Sequence, residues 1–89
     1  MSKVLIVWDV KKRGSPATKF YRALFGYGYK TREGPCHAPG ILDALPSDVW
    51  ECVNRSTLLI EEEFASAVEE IFKEFDEILK WFRFRVEEE

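Results

Sequence analysis

The sequence predicts an α+β domain whose elements run βαββαβ, and three observations carry that order. Residues 4–10, Val-Leu-Ile-Val-Trp-Asp-Val, form a β-branched apolar run of strand length. Two stretches, 15–25 and 61–79, space their apolar residues three and four apart, as amphipathic helices do. The segments 27–33, 49–60 and 81–86 alternate instead with the period of two that marks strands.

Residues 4–10 are the first strand. Leu5 and Val7 fall on one face, and Val4, Ile6 and Trp8 on the other. A strand apolar on both faces is expected at the centre of a sheet covered on both sides. Ser15-Pro16 then supplies a hydroxyl N-cap and a proline at the first helical position. Ala17, Phe20, Tyr21, Leu24 and Phe25 share one helical face, Lys19 and Arg22 lie opposite, and Gly26 is the stop. Next, Tyr27, Tyr29 and Thr31 alternate with Gly28, Lys30 and Arg32, and the basic second face places this strand at a sheet edge. Residues 34–48 hold three prolines and two glycines and read as a loop. Within it, Ile41, Leu42 and Leu45 form one apolar helical turn over the core.

Residues 49–60 read as one long strand. The alternative is a hairpin turning at Asn54-Arg55, although the usual Asn-Gly signal is missing. Phe64, Val68, Ile71, Phe72, Phe75, Ile78 and Leu79 trace the clearest stripe, and Glu61, Glu62 and Glu63 suit the positive end of that helix's dipole. Phe82, Phe84 and Val86 against Arg83 and Arg85 make the last strand, with an acidic tail at 87–89. Right-handed crossovers and antiparallel closure turn this order into a ferredoxin-like sandwich, a four-stranded antiparallel sheet with both helices on one face. The whole of 1–89 is one domain.

The chain is 46% hydrophobic and 15% aromatic, a large apolar load for a domain that buries only a modest share of its surface. Together with the apolar second face of the first strand, this predicts a homodimer packed sheet against sheet. The longest apolar run is far below the ~20 residues of a spanning helix, so no membrane partner is expected. The Met-Ser-Lys start lacks a signal-peptide pattern, which points to the cytoplasm, with Cys36 and Cys52 as thiols and Cys52 buried as a small apolar residue. Abundant charge, no Gln and a single Asn, Asn54, are the composition of a thermophile's protein. The net charge of −3 is split: residues 1–35 carry +6 and residues 36–89 carry −9. That excludes a protein that coats DNA through its overall charge and leaves room for a local basic surface.

Asp9 ends the apolar run, and Lys11, Lys12 and Arg13 follow at once. Mg²⁺ or another divalent cation takes one or two carboxylates together with water and phosphate. One Asp per chain is too few for a protein cage; two copies meeting across a dimer axis suffice. The same Asp equally suits a turn cap or a pair with Lys11 or Arg13. Lys11, Lys12, Arg13, Lys19, Arg22, Lys30 and Arg32 can form a phosphate-contacting surface, with Tyr27 and Tyr29 stacking on bases. The competing reading leaves the cations solvated and the tyrosines in the core and at a sheet edge. Cys36-His37 with Cys52 offers metal-binding and nucleophilic groups, but a single His and no C-x-x-C leave a structural zinc short of ligands. Arg83 and Arg85 project from one face of the last strand and can contact phosphate or pair with the acidic second helix; the acidic excess nearby favours pairing. No glycine-rich phosphate loop, catalytic carboxylate pair or Ser-His-Asp set can be assembled.

The run Val4-Leu5-Ile6-Val7-Trp8-Asp9-Val10, a basic first helix with Lys19 and Arg22, and the pair Tyr27-Gly28 resemble the small CRISPR-associated Cas-two proteins over residues 3–34. Glu33-Gly34 also fits that family, while Lys30-Thr31-Arg32 stands where its members tend to carry Gln-x-Ser and an apolar-aromatic pair. The resemblance implies a ferredoxin-like dimer that works on or beside DNA or RNA, with Asp9 as catalytic metal ligand. Some members are nucleases and others scaffold DNA for an integrase partner. It therefore implies either a divalent-metal-dependent endonuclease or a scaffolding subunit of CRISPR adaptation beside a larger protein. VapD-type ribonucleases look similar at the same coarse level. The alternative is a noncatalytic ligand-binding or protein-interaction module of the same fold, which the acidic C-terminal half and the 34–48 loop suit.

Overall fold

Burial against one face of the first strand organises the molecule. The computed structural model describes residues 2–87. Its elements are β1 (Ser2–Val10), α1 (Ser15–Phe25), β2 (Tyr27–Thr31), β3 (Gly34–Ala38), β4 (Trp50–Asn54), β5 (Thr57–Glu61), α2 (Glu62–Glu74) and β6 (Leu79–Glu87), with short 3-10 turns at Ile41–Ala44 and Asp76–Ile78. Four strands form one antiparallel sheet in the order β4-β5-β1-β6, and β2 pairs only with β3 in a separate hairpin. The protein is therefore α+β, with two helices and a four-stranded antiparallel sheet.

Alternation along β1 decides which face is covered. Val4, Ile6 and Trp8 are buried against Phe20 and Leu24 of α1 and Ala65, Val68 and Phe72 of α2. Leu58 and Ile60 of β5 and Leu79 of β6 complete that layer. Aromatic rings close it: Phe72 lies with its centroid 5.3 Å from each of Trp8, Phe20 and Trp81. Both helices thus cover one side of the sheet. Within one chain only that side of β1 is covered: Leu5 and Val7, on the face where a partner sheet is expected, remain only half-buried. Their cross-strand neighbours on β6, Phe84 and Phe82, are 53% and 51% exposed, a large apolar area open to solvent.

Three further expectations change for local physical reasons. Tyr27–Thr31 was expected at an edge of the main sheet. Instead it folds back on Gly34–Ala38, inside the segment expected to be a loop, with Gly34 at φ 122° supplying the turn. Residues 49–60 split into β4 and β5, the hairpin alternative. Asn54 makes that turn without a glycine, because its Oδ1 accepts the Ser56 N–H at 2.8 Å. Helix α1 begins at Ser15, with Gly14 rather than Ser15 as its cap, at φ 101°. Thr18 closes that turn through its N–H and Oγ1, both donating to the Gly14 carbonyl.

Other expectations hold. Gly26 ends α1 at φ 77°, its N–H donating to the Arg22 carbonyl at 2.8 Å. The apolar turn at Ile41–Ala44 packs Leu42 fully into the core. Arg83 and Arg85 turn to the helix side, where they meet Glu69 at 2.8 Å and Glu62 at 3.2 Å. Residues 88 and 89 of the expected acidic tail lie outside the described residues. No helix among the described residues is long and apolar enough to cross a membrane.

Phe72 touches β1, α1 and β6 at once, so its removal opens a cavity that no single element can fill. Urea denaturation of Phe72→Ala is expected to show a loss of about 3–5 kcal/mol. A loss below about 1 kcal/mol would mean the ring is not the keystone of this layer.

Candidate functional site

At the carboxyl end of β1 the chain leaves the sheet, turns through residues 11–14 and enters α1. The gap between that turn, one flank of α1 and the β4–β5 turn is a cleft of about 600 Å³. Three arginines line it: Arg13 from the turn before α1, Arg22 from its third helical turn and Arg55 from the β4–β5 turn. Among the described residues, Asp9 is the sole acid of the lining. Hydroxyls of Thr18, Tyr21 and Ser56 add hydrogen-bonding groups, and Phe25 adds an apolar wall. Tyr21 is held by the indole N–H of Trp8, which donates to its hydroxyl at 3.4 Å, so the cleft wall is fastened to the core.

Of the residues expected to form a site, Asp9, Arg13 and Arg22 come together here. Lys11 and Lys12 are exposed in the adjoining turn, and Lys19 is exposed elsewhere on α1. Lys30 and Arg32 stand on the β2–β3 hairpin and do not line the cleft. Arg55 is a member that the long-strand reading of 49–60 hides; the hairpin alternative at Asn54-Arg55 is the signal that exposes it. Asp9 is exposed and its carboxylate makes no hydrogen bond or ion pair among the described residues, so it neither caps the turn nor pairs with Lys11 or Arg13. Its register partner on β6 is Lys80. Among the described residues, no three His, Cys, Asp or Glu converge on a metal-sized site. A single chain thus offers a cation at Asp9 one carboxylate and no protein cage.

The β2–β3 hairpin stands beside the cleft. Tyr27 and Tyr29 share one of its faces at 40% and 46% exposure, with ring centroids 6.0 Å apart. The Arg22 guanidinium lies 4.3 Å over the Tyr27 ring, a cation–π contact that joins hairpin to cleft. Neither tyrosine is in the core. The hairpin is pinned to α1 where Gly26 meets the Ala38 carbonyl and Gly40; a Cβ on either glycine would collide with backbone. Beyond that point Asp43 Oδ2 accepts the Gly40 N–H at 2.8 Å and lies 3.0 Å from His37 Nε2.

Of the two thiols, Cys52 lines an adjoining pocket with Tyr21, Phe25, Asn54 and Arg55, whereas Cys36 does not line the cleft. Cys36 and Cys52 are both free. Cys36 Sγ sits 3.8 Å from Thr31 Oγ1, and its strand neighbour His37 is engaged with Asp43. Cys52 is exposed on edge strand β4, which corrects the expectation of burial, and partial desolvation still pushes its pKa up. A raised pKa leaves it protonated and a poor nucleophile. No family model, curated protein or solved structure matches this chain.

The His37 contact holds the Asp43 pKa below its ordinary 3.8, with the Gly40 N–H as second cause and burial opposing both. A carboxylate depressed in the folded state adds stability that is present above that ordinary value and disappears as pH falls through the lower folded one. Thermal melts between about pH 6 and pH 2 should therefore show an advantage of wild type over Asp43→Asn that shrinks toward the acid end. An advantage that stays constant over that range would assign the effect to shape, not charge.

Proposed function

We propose that this protein is a nucleic-acid-associated dimer that holds phosphates in the arginine-lined cleft. One observation carries the reading: Arg13, Arg22 and Arg55 converge on a cleft whose lining contains a single acid. Guanidinium groups suit phosphate oxygens through paired N–H donors, and the nearby hydroxyls can add donors of their own. The acidic excess of the C-terminal half does not oppose this locally, because among the described residues it contributes no acid to the lining of the cleft.

The sandwich supports the same reading. Numbered among themselves along the chain, the four strands of the main sheet lie 2-3-1-4, with both helices on one face. We read this as a ferredoxin-like arrangement into which the β2–β3 hairpin is inserted, in keeping with the resemblance to the Cas-two proteins. The second copy is assigned to the open sheet face. Leu5, Val7, Phe82 and Phe84 leave it apolar, and Asp9 continues the Leu5–Val7 alternation at its end. Two copies packed there would carry two Asp9 carboxylates on one interface, the pair of hard oxygen ligands a divalent cation takes beside phosphate and water. When bound there, such a cation would activate water and offset phosphate charge.

The open face also favours a second reading, a noncatalytic interaction module, since two half-exposed Phe on one strand are an association surface whatever the cleft does.

Two experiments decide between them. Binding to labelled oligonucleotides should weaken with salt, log K falling against log salt with a slope of magnitude about 2–3 for three phosphate contacts. Arg55→Gln should lower that slope by about one. Binding indifferent to ionic strength, or absent, removes the nucleic-acid reading. Asp9→Asn should keep binding and lose any Mg²⁺-dependent cleavage; undiminished cleavage rules Asp9 out. Wild type that binds without cleaving is the scaffolding outcome, beside a larger protein partner.

Sedimentation gives a separate check on the assembly. Wild type should run as a dimer and Phe82→Glu/Phe84→Glu as a folded monomer. A monomeric wild type would leave the shared-cation scheme without its second carboxylate.

A further inference from the structure

The β2–β3 hairpin carries a feature the phosphate cleft does not use. Tyr27 and Tyr29 lie two residues apart on one strand, so both rings stand on the same side, about 6.6 Å apart along the chain. The residues in register across the hairpin are Ala38 and Cys36, too small to cover them. At 40% and 46% exposure, two large rings stand side by side with much of their surface open to solvent.

The rings are also held in place. Gly26 and Gly40 let the hairpin's return strand meet the end of α1 backbone to backbone, and His37–Asp43 ties the same corner. Arg22 reaches from the cleft over the Tyr27 ring, so the aromatic platform and the cleft share a side chain. A ligand that lays phosphates in the cleft therefore has aromatic surface at the next step along the same groove.

From this we infer that the ligand of the cleft is a single strand whose unpaired bases stack on Tyr27 and Tyr29. The inference rests on the phosphate reading above and adds the strandedness of the substrate. In a duplex the base faces are stacked on one another and closed to a flat side chain. In a single strand every base has a free face, and stacking on tyrosine tolerates any sequence. Lys30, on the opposite face of β2, cannot share the platform, because side chains alternate along the strand.

The test is fluorescence anisotropy with single-stranded DNA, single-stranded RNA and a duplex of equal length. The proteins are wild type, Tyr27→Leu/Tyr29→Leu, Tyr27→Phe/Tyr29→Phe and Arg55→Gln. Wild type should prefer the single strands. The leucine variant should weaken single-strand binding about 5- to 100-fold and leave the duplex and the salt slope unchanged. The phenylalanine variant should restore single-strand binding, because the ring and not the hydroxyl stacks. Preference for RNA over DNA, or the reverse, supports the inference equally and names the strand.

A leucine variant that binds single strands as wild type does, one that weakens duplex binding equally, or a wild type that prefers duplex overturns it. The parent reading fails by a different sign. There Arg55→Gln leaves the salt slope unchanged, or wild type binds none of the three, which removes both. Circular dichroism of the leucine variant keeps a folding defect from passing as lost stacking.

Discussion

The contact of Phe72 with Trp8, Phe20 and Trp81 is the constraint on which the rest of the molecule depends. Each partner belongs to a different element, so one ring joins α2 to β1, α1 and β6. Aromatic pairs in edge and tilted geometries add roughly 0.5–1.5 kcal/mol each beyond the area they bury. More important is direction. With Trp8 turned into this cluster, alternation forces Asp9, one residue later, to the outside. The carboxylate at the head of the cleft is exposed because its neighbour is not.

Charge follows the same one-sided logic. Helices cover one face of the sheet, so the arginines of β6 that point to that side meet the acids of α2. Their charge is spent on pairing. Arg13 and Arg22, by contrast, join no ion pair among the described residues and are left to define the cleft. A chain with net charge −3 thereby keeps a basic corner. The face without helices has the opposite character: on β1 and β6 it is a strip of leucine, valine and phenylalanine, with Asp9 and Lys80 at one end and Glu51 of β4 at its side. Exposed apolar area on this scale is unusual for a domain that acts alone.

The hairpin shows how small residues position a surface at a distance. Gly26 and Gly40 carry no side chain, and a Cβ on either would keep the hairpin from approaching the end of α1. Asp43 completes the corner by receiving the Gly40 N–H and facing His37. Backbone proximity at this point places the tyrosine face next to Arg22, and so next to the cleft.

Periodicity in the chain sufficed for the existence of β1, α1, α2 and β6, because each is long enough to repeat its pattern and one face of each is buried. It overran α2, which ends at Glu74, leaving Ile78 to a 3-10 turn and Leu79 to the start of β6. It also isolated Asp9 and the basic residues that follow. It could not show that Tyr27–Thr31 leaves the main sheet, since a strand exposed on every side reads the same at an edge as in a separate hairpin. Nor could it choose between one strand and two at 49–60, where Asn54 makes the turn through its own side chain. Arg55 therefore joined the cleft only when the chain had folded. Local pattern fixes what a segment is; pairing between segments far apart in the chain is settled by which apolar faces can be buried together. That is why the elements were legible and the cleft, assembled from three of them, was not.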